Sequence, residues 1–292
     1  MQLLRLPSYV WRHRLNAGGR WRAIGRVLRW QVASRLLAGP IALPFVESTR
    51  LFVKHGMTGA TGNWYCGLHE VEEMGFMLHF LRPDDLFVDI GANVGSYTIL
   101  AAGGVGARVV SVEPIPATYL NLQANVLLNG LAERVELHCV GLSSERAELR
   151  FTADQDTVNH VLTEAEHGQA ISVPVIPLDE LLAGRVPAAI KIDVEGYELA
   201  VLKGAERTLA EPGVAAVVME INGSGARYGV GDDALLAMMR GYGFMPYGYD
   251  PLARRLGDWD PSSGNAIFVR NRVTVDSRVM QSKRYRLVNG TI

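Results

Sequence analysis

From Leu86 onward, short runs of consecutive apolar residues alternate with stretches whose apolar positions recur at helical spacing. Runs apolar on both faces are what strands inside a parallel sheet require, because helices cover that sheet on each side. The pattern predicts strands over 86–90 (LFVDI), 108–113, 134–140, 188–193 and 214–221, with helices over 96–102, 117–128, 179–182 and 197–209. Repeated strand–helix–strand units with right-handed crossovers build an α/β fold around a doubly wound, mostly parallel sheet. After the fifth strand, a helix over 232–240 leads to strands at 244–249 and 265–270, separated by the turn-rich DPLARRLGDWDPSSG. This predicts a C-terminal antiparallel hairpin on the parallel sheet. Over 147–178 two alternating runs, AELRFTA and SVPVIPL, flank a polar stretch and predict extended structure at an edge or over the sheet. Residues 271–292 are polar and basic and read as a tail.

Composition narrows the class. With 292 residues, 48% hydrophobic and 20% charged, the chain can bury a full core, which excludes whole-chain disorder. Only Cys66 and Cys139 are present, so neither a disulfide framework nor a multi-cysteine metal site is available, and a reducing compartment is expected. The apolar run 36–46 holds Pro40 and Pro44 and is too short and broken for a bilayer span, and arginines interrupt the first residues where a secretion signal would be apolar. These features predict a cytoplasmic protein.

Charge divides the chain. Residues 1–54 carry ten Lys/Arg against Glu47 alone, a net of +9, which leaves −10 for the remainder. The expected organisation is therefore a basic amphipathic segment over 1–54, a sheet domain over 55–270 and the tail over 271–292. Within the basic segment Trp21, Ile24, Leu28, Val32 and Leu36 fall at helical spacing between arginines. Such a stripe either lies on an anionic membrane, through residues 12–38, or packs on the sheet domain. The acidic remainder would repel phosphates, which argues against a nucleic-acid partner.

The strongest local motif is FVDIGANVGSYT, a strand running into a glycine loop that opens a helix. Gly91 lets the backbone turn and a ligand come close, Gly95 lets the helix start against the strand, and Asp89 carries a carboxylate to the strand's carboxyl end. A dinucleotide fingerprint needs glycine where Asn93 stands, and no Gly-Lys-Ser/Thr follows, so neither pyrophosphate nor triphosphate is well served. Glu113, ending the next strand, is placed to take both hydroxyls of a ribose. Loop and acid together describe a nucleoside site without phosphates. The structural alternatives are a tight turn for the loop and a helix cap for Glu113, since Pro114 follows it.

At this point DIGANVGSYT, SVEPIPATYLNLQANVLLNG and IKIDVEGYELAVLKGAE resemble the hallmark stretches of the FkbM-type S-adenosylmethionine-dependent methyltransferases, and VVMEI resembles that family's next strand. The resemblance covers roughly residues 65–270, and the D-V-E-G-x-E-x-x-V-L-K-G stretch separates this family from other class I methyltransferases. It implies a Rossmann-like class I methyltransferase domain, S-adenosylmethionine as cofactor, and methyl transfer to an oxygen. Carried over by position, Asp89, Gly91, Asn93 and Gly95 would line the methionine part of the cofactor and Glu113 its ribose. Gly141 and Leu142 would lie near the adenine, where many relatives of the wider class instead place an acid.

The acceptor side is read from Asp193-Val-Glu195, two acids at the end of the fourth strand that can share one cleft, where a carboxylate accepts or aligns a hydroxyl proton. Both are candidate catalytic residues; Glu220 and His160 are further candidates. Glu195 and Glu198 have a plainer role open to them, negative charge in the first turn of a helix. Trp64 and Tyr65 are either a lid or core packing. No His, Asp or Glu grouping has metal-ligand spacing, so no metal is expected. The expected activity is O-methylation of a hydroxyl on a saccharide or secondary metabolite. The rivals are an RNA methyltransferase docked by the basic segment and a non-catalytic nucleoside-binding module.

Overall fold

The apolar runs become the strands of one eight-stranded sheet, here numbered in chain order: β1 (Leu86–Ile90), β2 (Arg108–Val112), β3 (Val135–His138), β4 (Ala189–Ile192), β5 (Ala216–Glu220), β6 (Met245–Asp250), β7 (Arg255–Gly257) and β8 (Asn265–Val269). The computed structural model describes residues 2–152, 159–163, 166 and 170–292. Across the sheet the order is β7-β6-β8-β5-β4-β1-β2-β3. Strands β3, β2, β1, β4 and β5 run parallel, and β8, β6 and β7 add antiparallel pairings at one side. The chain starts in the middle at β1, winds outward to β3, then returns to β4 on the other flank of β1. That reversal opens a crevice beyond the carboxyl ends of β1 and β4, the place where ligands bind such sheets.

Period-two side-chain alternation loads both faces. Phe87, Val109, Ala189, Val218 and Ile267 join one buried cluster; Val88, Val110, Ile190, Val217 and Phe268 join the other. The expected hairpin partners are adjacent and antiparallel as β6 and β8, and the turn-rich stretch between them supplies β7 as an extra edge strand. The two alternating runs form Ala147–Thr152 and Ala170–Ile176, paired antiparallel and joined by Gly141–Leu142 in a separate three-stranded sheet. Ala153 and most of the polar stretch between them lie outside the described residues. The helix expected over 197–209 is two, Glu198–Lys203 and Glu206–Ala210. Gly204 lies at the break, where a Cβ would overlap the carbonyl oxygen of Ser143.

Residues 271–292, read as a tail, are built into the fold. Asn271 caps helix Arg272–Met280 by accepting from the Thr274 N–H at 3.1 Å, and Val275 and Val279 are buried one turn apart. Arg278 lies 4.6 Å over the Phe80 ring and donates through Nε to the Phe80 carbonyl at 2.6 Å. Strands Arg286–Leu287 and Gly290–Thr291 close the chain as a small hairpin. Tyr285, Leu287 and Ile292 join the two valines in the core, but they stand among polar residues at no regular spacing, so no periodic pattern announces them.

The basic segment divides its two faces between core and solvent. Helix Arg20–Leu36 buries Ala23, Arg26, Val27 and Trp30 against the domain, while Trp21, Leu28, Val32 and Leu36 face outward. Asn16, just before it, is buried and ties three segments together. Its amide donates to the carbonyls of Val10 (3.0 Å) and Tyr65 (3.2 Å), and its carbonyl accepts from Arg26 (3.0 Å) and from Asn289 (3.0 Å). Asn16→Ala leaves these buried groups unsatisfied, and we expect it to cost about 3 kcal/mol in urea unfolding. A loss below about 0.5 kcal/mol, the range of ordinary surface changes, would mean that the segment folds apart from the domain.

Candidate active site

At the end of β1 the chain enters the glycine loop with its N–H groups already assigned. Gly91 and Ala92 both donate to the Val112 carbonyl of β2 at 3.0 Å. Gly91 has φ +71°, and a Cβ there would overlap the carbonyl oxygen of Asp193 at the end of β4. The close approach that demands glycine is therefore made by the protein's own backbone. Asn93 is also left-handed (φ +50°), and its side-chain oxygen accepts from the Val94 N–H at 2.7 Å, a local turn that lets a non-glycine residue hold this conformation.

Glu113 follows β2 and is held from two sides. One carboxyl oxygen accepts from the Asn93 N–H (2.9 Å), the other from the Ile115 N–H (3.0 Å). These bonds aim the carboxyl across the loop into a cavity of about 260 Å³ lined by both the loop and the end of β4. Burial pushes its pKa up to about 7, against the lowering effect of the two N–H donors. At one end of the cavity Ile115, Leu142, Phe151 and Val161 form an apolar slot, and Gly141 borders it with Phe151 and Val175 where a side chain would stand. A flat base fits between such surfaces.

Part of the lining is acidic. Asp193, Glu195 and Glu220 line the cavity together with Glu70, and the cationic group facing them is Lys191 on β4. Its ammonium is buried, 2.9 Å from the Asp193 carboxylate and 5.0 Å from the centre of the Tyr97 ring. Burial alone would lower the Lys191 pKa, but Asp193, Asp89 and Glu70 together outweigh it and hold the ammonium charged. The Tyr97 hydroxyl in turn donates to Glu70 at 2.6 Å.

The acids are not equivalent. Burial, then the negative charges of Asp193 and Glu198, bring Glu195 up to about 7. Burial with Asp193, Glu195 and Glu198 nearby drives Glu220 higher, to about 9, and one of its oxygens is buried without a partner. Glu220 therefore carries its proton at neutral pH, whereas Glu195 sits at its titration point. Glu195 itself has φ +54°, and the next residue, Gly196, packs where a Cβ would press on the Ser224 carbonyl. Glu198 caps the turn by accepting from the Val194 N–H at 3.3 Å and the Gly196 N–H at 3.1 Å. The helix-start role thus falls to Glu198, and Glu195 faces the cavity.

Of the residues singled out in sequence, Gly91, Asn93, Glu113, Gly141, Leu142, Asp193, Glu195 and Glu220 line this one cavity. Asp89 lies beneath it, fully buried, accepting from Thr98 at 2.6 Å, and Gly95 starts helix Ser96–Ile99. His160 is buried and pairs with Glu166 at 3.2 Å, while its neighbours Asn159 and Val161 line the cavity. Tyr65 is core and Trp64 packs against it. Lys191 was missed, although a charge inside the apolar run AIKID was a usable signal. Asn63, His69 and Glu70 reach the cavity only through tertiary packing, which no local pattern reports. Among the described residues no group of His, Cys, Asp or Glu has the geometry of a metal site.

The arrangement suits S-adenosylmethionine: an apolar slot for the base, a fixed carboxyl for the ribose, and an acidic wall for a sulfonium cation and an ammonium group. The same wall would repel a pyrophosphate. The chain is similar to several known proteins. The hexuronic acid methyltransferase AglP of Haloferax volcanii is 29% identical over 160 residues, 52% of this chain and 62% of that protein, so less than two thirds of its length is spanned. The 31-O-demethyl-FK506 methyltransferase FkbM of Streptomyces tacrolimicus is 28% identical over 197 residues, 56% of this chain and 74% of that protein. Among solved structures, an rRNA methylase from Streptococcus thermophilus superposes with a TM-score of 0.41 at 16% identity, over 68% of this chain and 93% of that one. The family profile of the methyltransferase FkbM domain matches residues 89–246, more than half of the chain. The chain belongs to the FkbM methyltransferase family.

Proposed function

We propose that this protein is an S-adenosylmethionine-dependent O-methyltransferase whose acceptor is a hydroxyl on a saccharide or a hydroxylated secondary metabolite. The observation that carries the reading is one cavity that gathers the glycine loop, Glu113 and the acids Asp193, Glu195 and Glu220 at the switch point of the sheet. Both relatives named above are methyltransferases, one by its name of a hexuronic acid and one of 31-O-demethyl-FK506, which supports a hydroxyl as acceptor. Mass spectrometry of the host's glycans and small metabolites, with and without this chain, tests it. The expected outcome is a product lighter by one methylene in its absence; an unchanged profile with methylated RNA lost instead would overturn it.

When bound, S-adenosylmethionine would supply an electrophilic methyl to an acceptor oxygen, with S-adenosylhomocysteine leaving as the neutral thioether. The chain's own contribution is alignment, exclusion of water, and proton handling; alignment alone can be worth on the order of 10⁵ M in effective concentration. Asp89, Gly91, Asn93 and Gly95 shape and support the loop that would hold the methionine part, Glu113 would bind the ribose, and Gly141 and Leu142 would border the adenine. Glu195, poised near neutrality, is the proposed base for the acceptor hydroxyl. Asp193, held by Lys191, is the proposed orienting acceptor beside it. Glu220, protonated, can donate a hydrogen bond to a second acceptor oxygen.

Three outcomes follow from these assignments. For Glu113→Gln, calorimetry with S-adenosylhomocysteine should show affinity reduced about tenfold or more, since a charge-assisted bond is replaced by a neutral one. In the wild type affinity should weaken as pH falls through about 7, where Glu113 takes up its proton, and this dependence should vanish in the variant. An unchanged affinity in a folded variant removes Glu113 from the ribose.

Glu195→Gln should leave cofactor affinity intact and slow methyl transfer roughly 10²- to 10⁴-fold, with loss of the acidic limb of the rate profile near pH 7. Asp193→Asn should lower the rate while keeping that limb. If instead the limb disappears in Asp193→Asn and survives in Glu195→Gln, the two roles are exchanged.

Glu220 is tested through stability. The folded state keeps its proton up to about pH 9, whereas the unfolded chain releases it above the ordinary value of 4.5, so stability falls as pH rises through that window. Glu220→Gln mimics the protonated acid, and its melting temperature should exceed the wild-type value by a margin that grows from about pH 5 to pH 9. A constant margin would mean that Glu220 is ionised in the fold.

A further inference from the structure

The outward face of helix Arg20–Leu36 is unusual for a helix anchored in a domain. Trp21 is 77% exposed, Leu28 62%, Val32 58% and Leu36 77%, with Leu37 beyond the helix end at 57%. Successive members stand seven, four and four positions apart, which puts them on one stripe. The opposite stripe, Ala23, Val27 and Trp30, is buried, so the outward direction is fixed by packing. Arg22 and Arg29 border the exposed stripe on one side, Arg20 and Arg35 on the other, and all four are exposed. None of the residues 1–46 is an Asp or Glu.

We propose that this face docks on an anionic lipid surface, with Trp21, Leu28, Val32 and Leu36 entering the headgroup–acyl boundary and the four flanking arginines meeting lipid phosphates. An apolar stripe bordered by arginines is the composition of helices that lie in the membrane interface. Charge selects this occupant over a second copy of the chain, because two such faces in register would set arginines against arginines with no acid on either helix. A nucleic acid would meet the arginines but leave the tryptophan and leucines in water. Among the described residues no helix is long and apolar enough to cross a membrane, so the contact is one of surface attachment.

The buried face gives the attachment a direction. Arg26 and Gln31, on the inner side of the helix, bond to the carbonyl and the hydroxyl of Tyr65 at 2.7 and 3.4 Å. Tyr65 belongs to helix Thr58–Cys66, whose residues Thr58, Gly59, Ala60 and Asn63 line the cavity. A docked protein thus holds its cavity one helix layer from the lipid, so that an acceptor carried at a membrane surface is within reach. The docking itself does not depend on the methyltransferase reading.

The test is co-sedimentation of the full-length chain with vesicles containing phosphatidylglycerol and with vesicles of phosphatidylcholine alone, at low and high salt. Binding is expected to the anionic vesicles, weakened by salt. Arg22→Gln with Arg29→Gln should reduce partitioning about fivefold per arginine. Trp21→Ser with Leu28→Ser should abolish sedimentation with the fold intact, since neither side chain enters the core and Trp21 meets only the Trp11 ring edge-on at 4.9 Å, and binding of S-adenosylhomocysteine by the variant verifies that fold. Failure of the wild type to bind anionic vesicles overturns the proposal. So does a dimer in analytical ultracentrifugation that the Trp21→Ser, Leu28→Ser variant converts to monomer, which assigns the face to a second copy.

Discussion

A buried lysine holds the carboxyl edge of the sheet together. Lys191 sits on β4 inside a run of apolar side chains and faces Asp89, Asp193 and Glu70. An unpaired ammonium in that place would carry a large desolvation cost, and so would the carboxylates without it. The pairing allows several acids to gather around one cavity while only part of their charge is expressed. Asp193 carries the short ion pair, while Glu113, Glu195 and Glu220, raised by burial, remain wholly or partly protonated near neutrality. Burial raises all three, and the cations Lys191 and, for Glu195, Arg227 oppose it.

That gradation bears on the chemistry. On the proposed reading, a site that receives a sulfonium cation and an uncharged hydroxyl benefits from negative charge held in reserve, because a fully ionised wall would be strongly hydrated before any ligand arrived. Acids that titrate close to neutrality can give up a proton as the cation enters.

The sheet was legible because its signal is local and repeated. LFVDI, RVVSV and AAIKI are apolar on both faces, and a parallel strand between two helical layers needs that pattern. The chemistry-bearing loops were legible for a related reason: strand, glycine loop and terminal acid follow one another in a single unit, so Glu113 meets the loop through neighbouring strands. The wall supplied by Asn63, His69 and Glu70 was not, since those residues lie on segments whose placement depends on contacts far away in sequence. The reason for Gly91 was also hidden, because the carbonyl it avoids belongs to Asp193, about a hundred positions later. For the arginine-rich helix, the sequence offered lipid contact and core packing as alternatives. A separate set of residues, Ala23, Val27 and Trp30, supplies the core face; of the noticed stripe Ile24 packs at its edge, and Trp21, Leu28, Val32 and Leu36 stay outward.

The bonds of Asn289 set a schedule for synthesis. Its amide donates to the Leu15 and Asn16 carbonyls at 3.0 Å each and to that of Cys66 at 2.8 Å, joining positions 273 residues apart in the second case. A ribosome delivers residue 16 long before residue 289, so the arginine-rich helix spends most of translation without its clasp, and contacts this distant close late. During that interval its outward face is open to chaperones, to lipid and to neighbouring nascent chains, and its inner face has only the early partners around Tyr65. Yield in a heterologous host should therefore respond to translation speed and chaperone supply more than the stability of the finished fold would suggest.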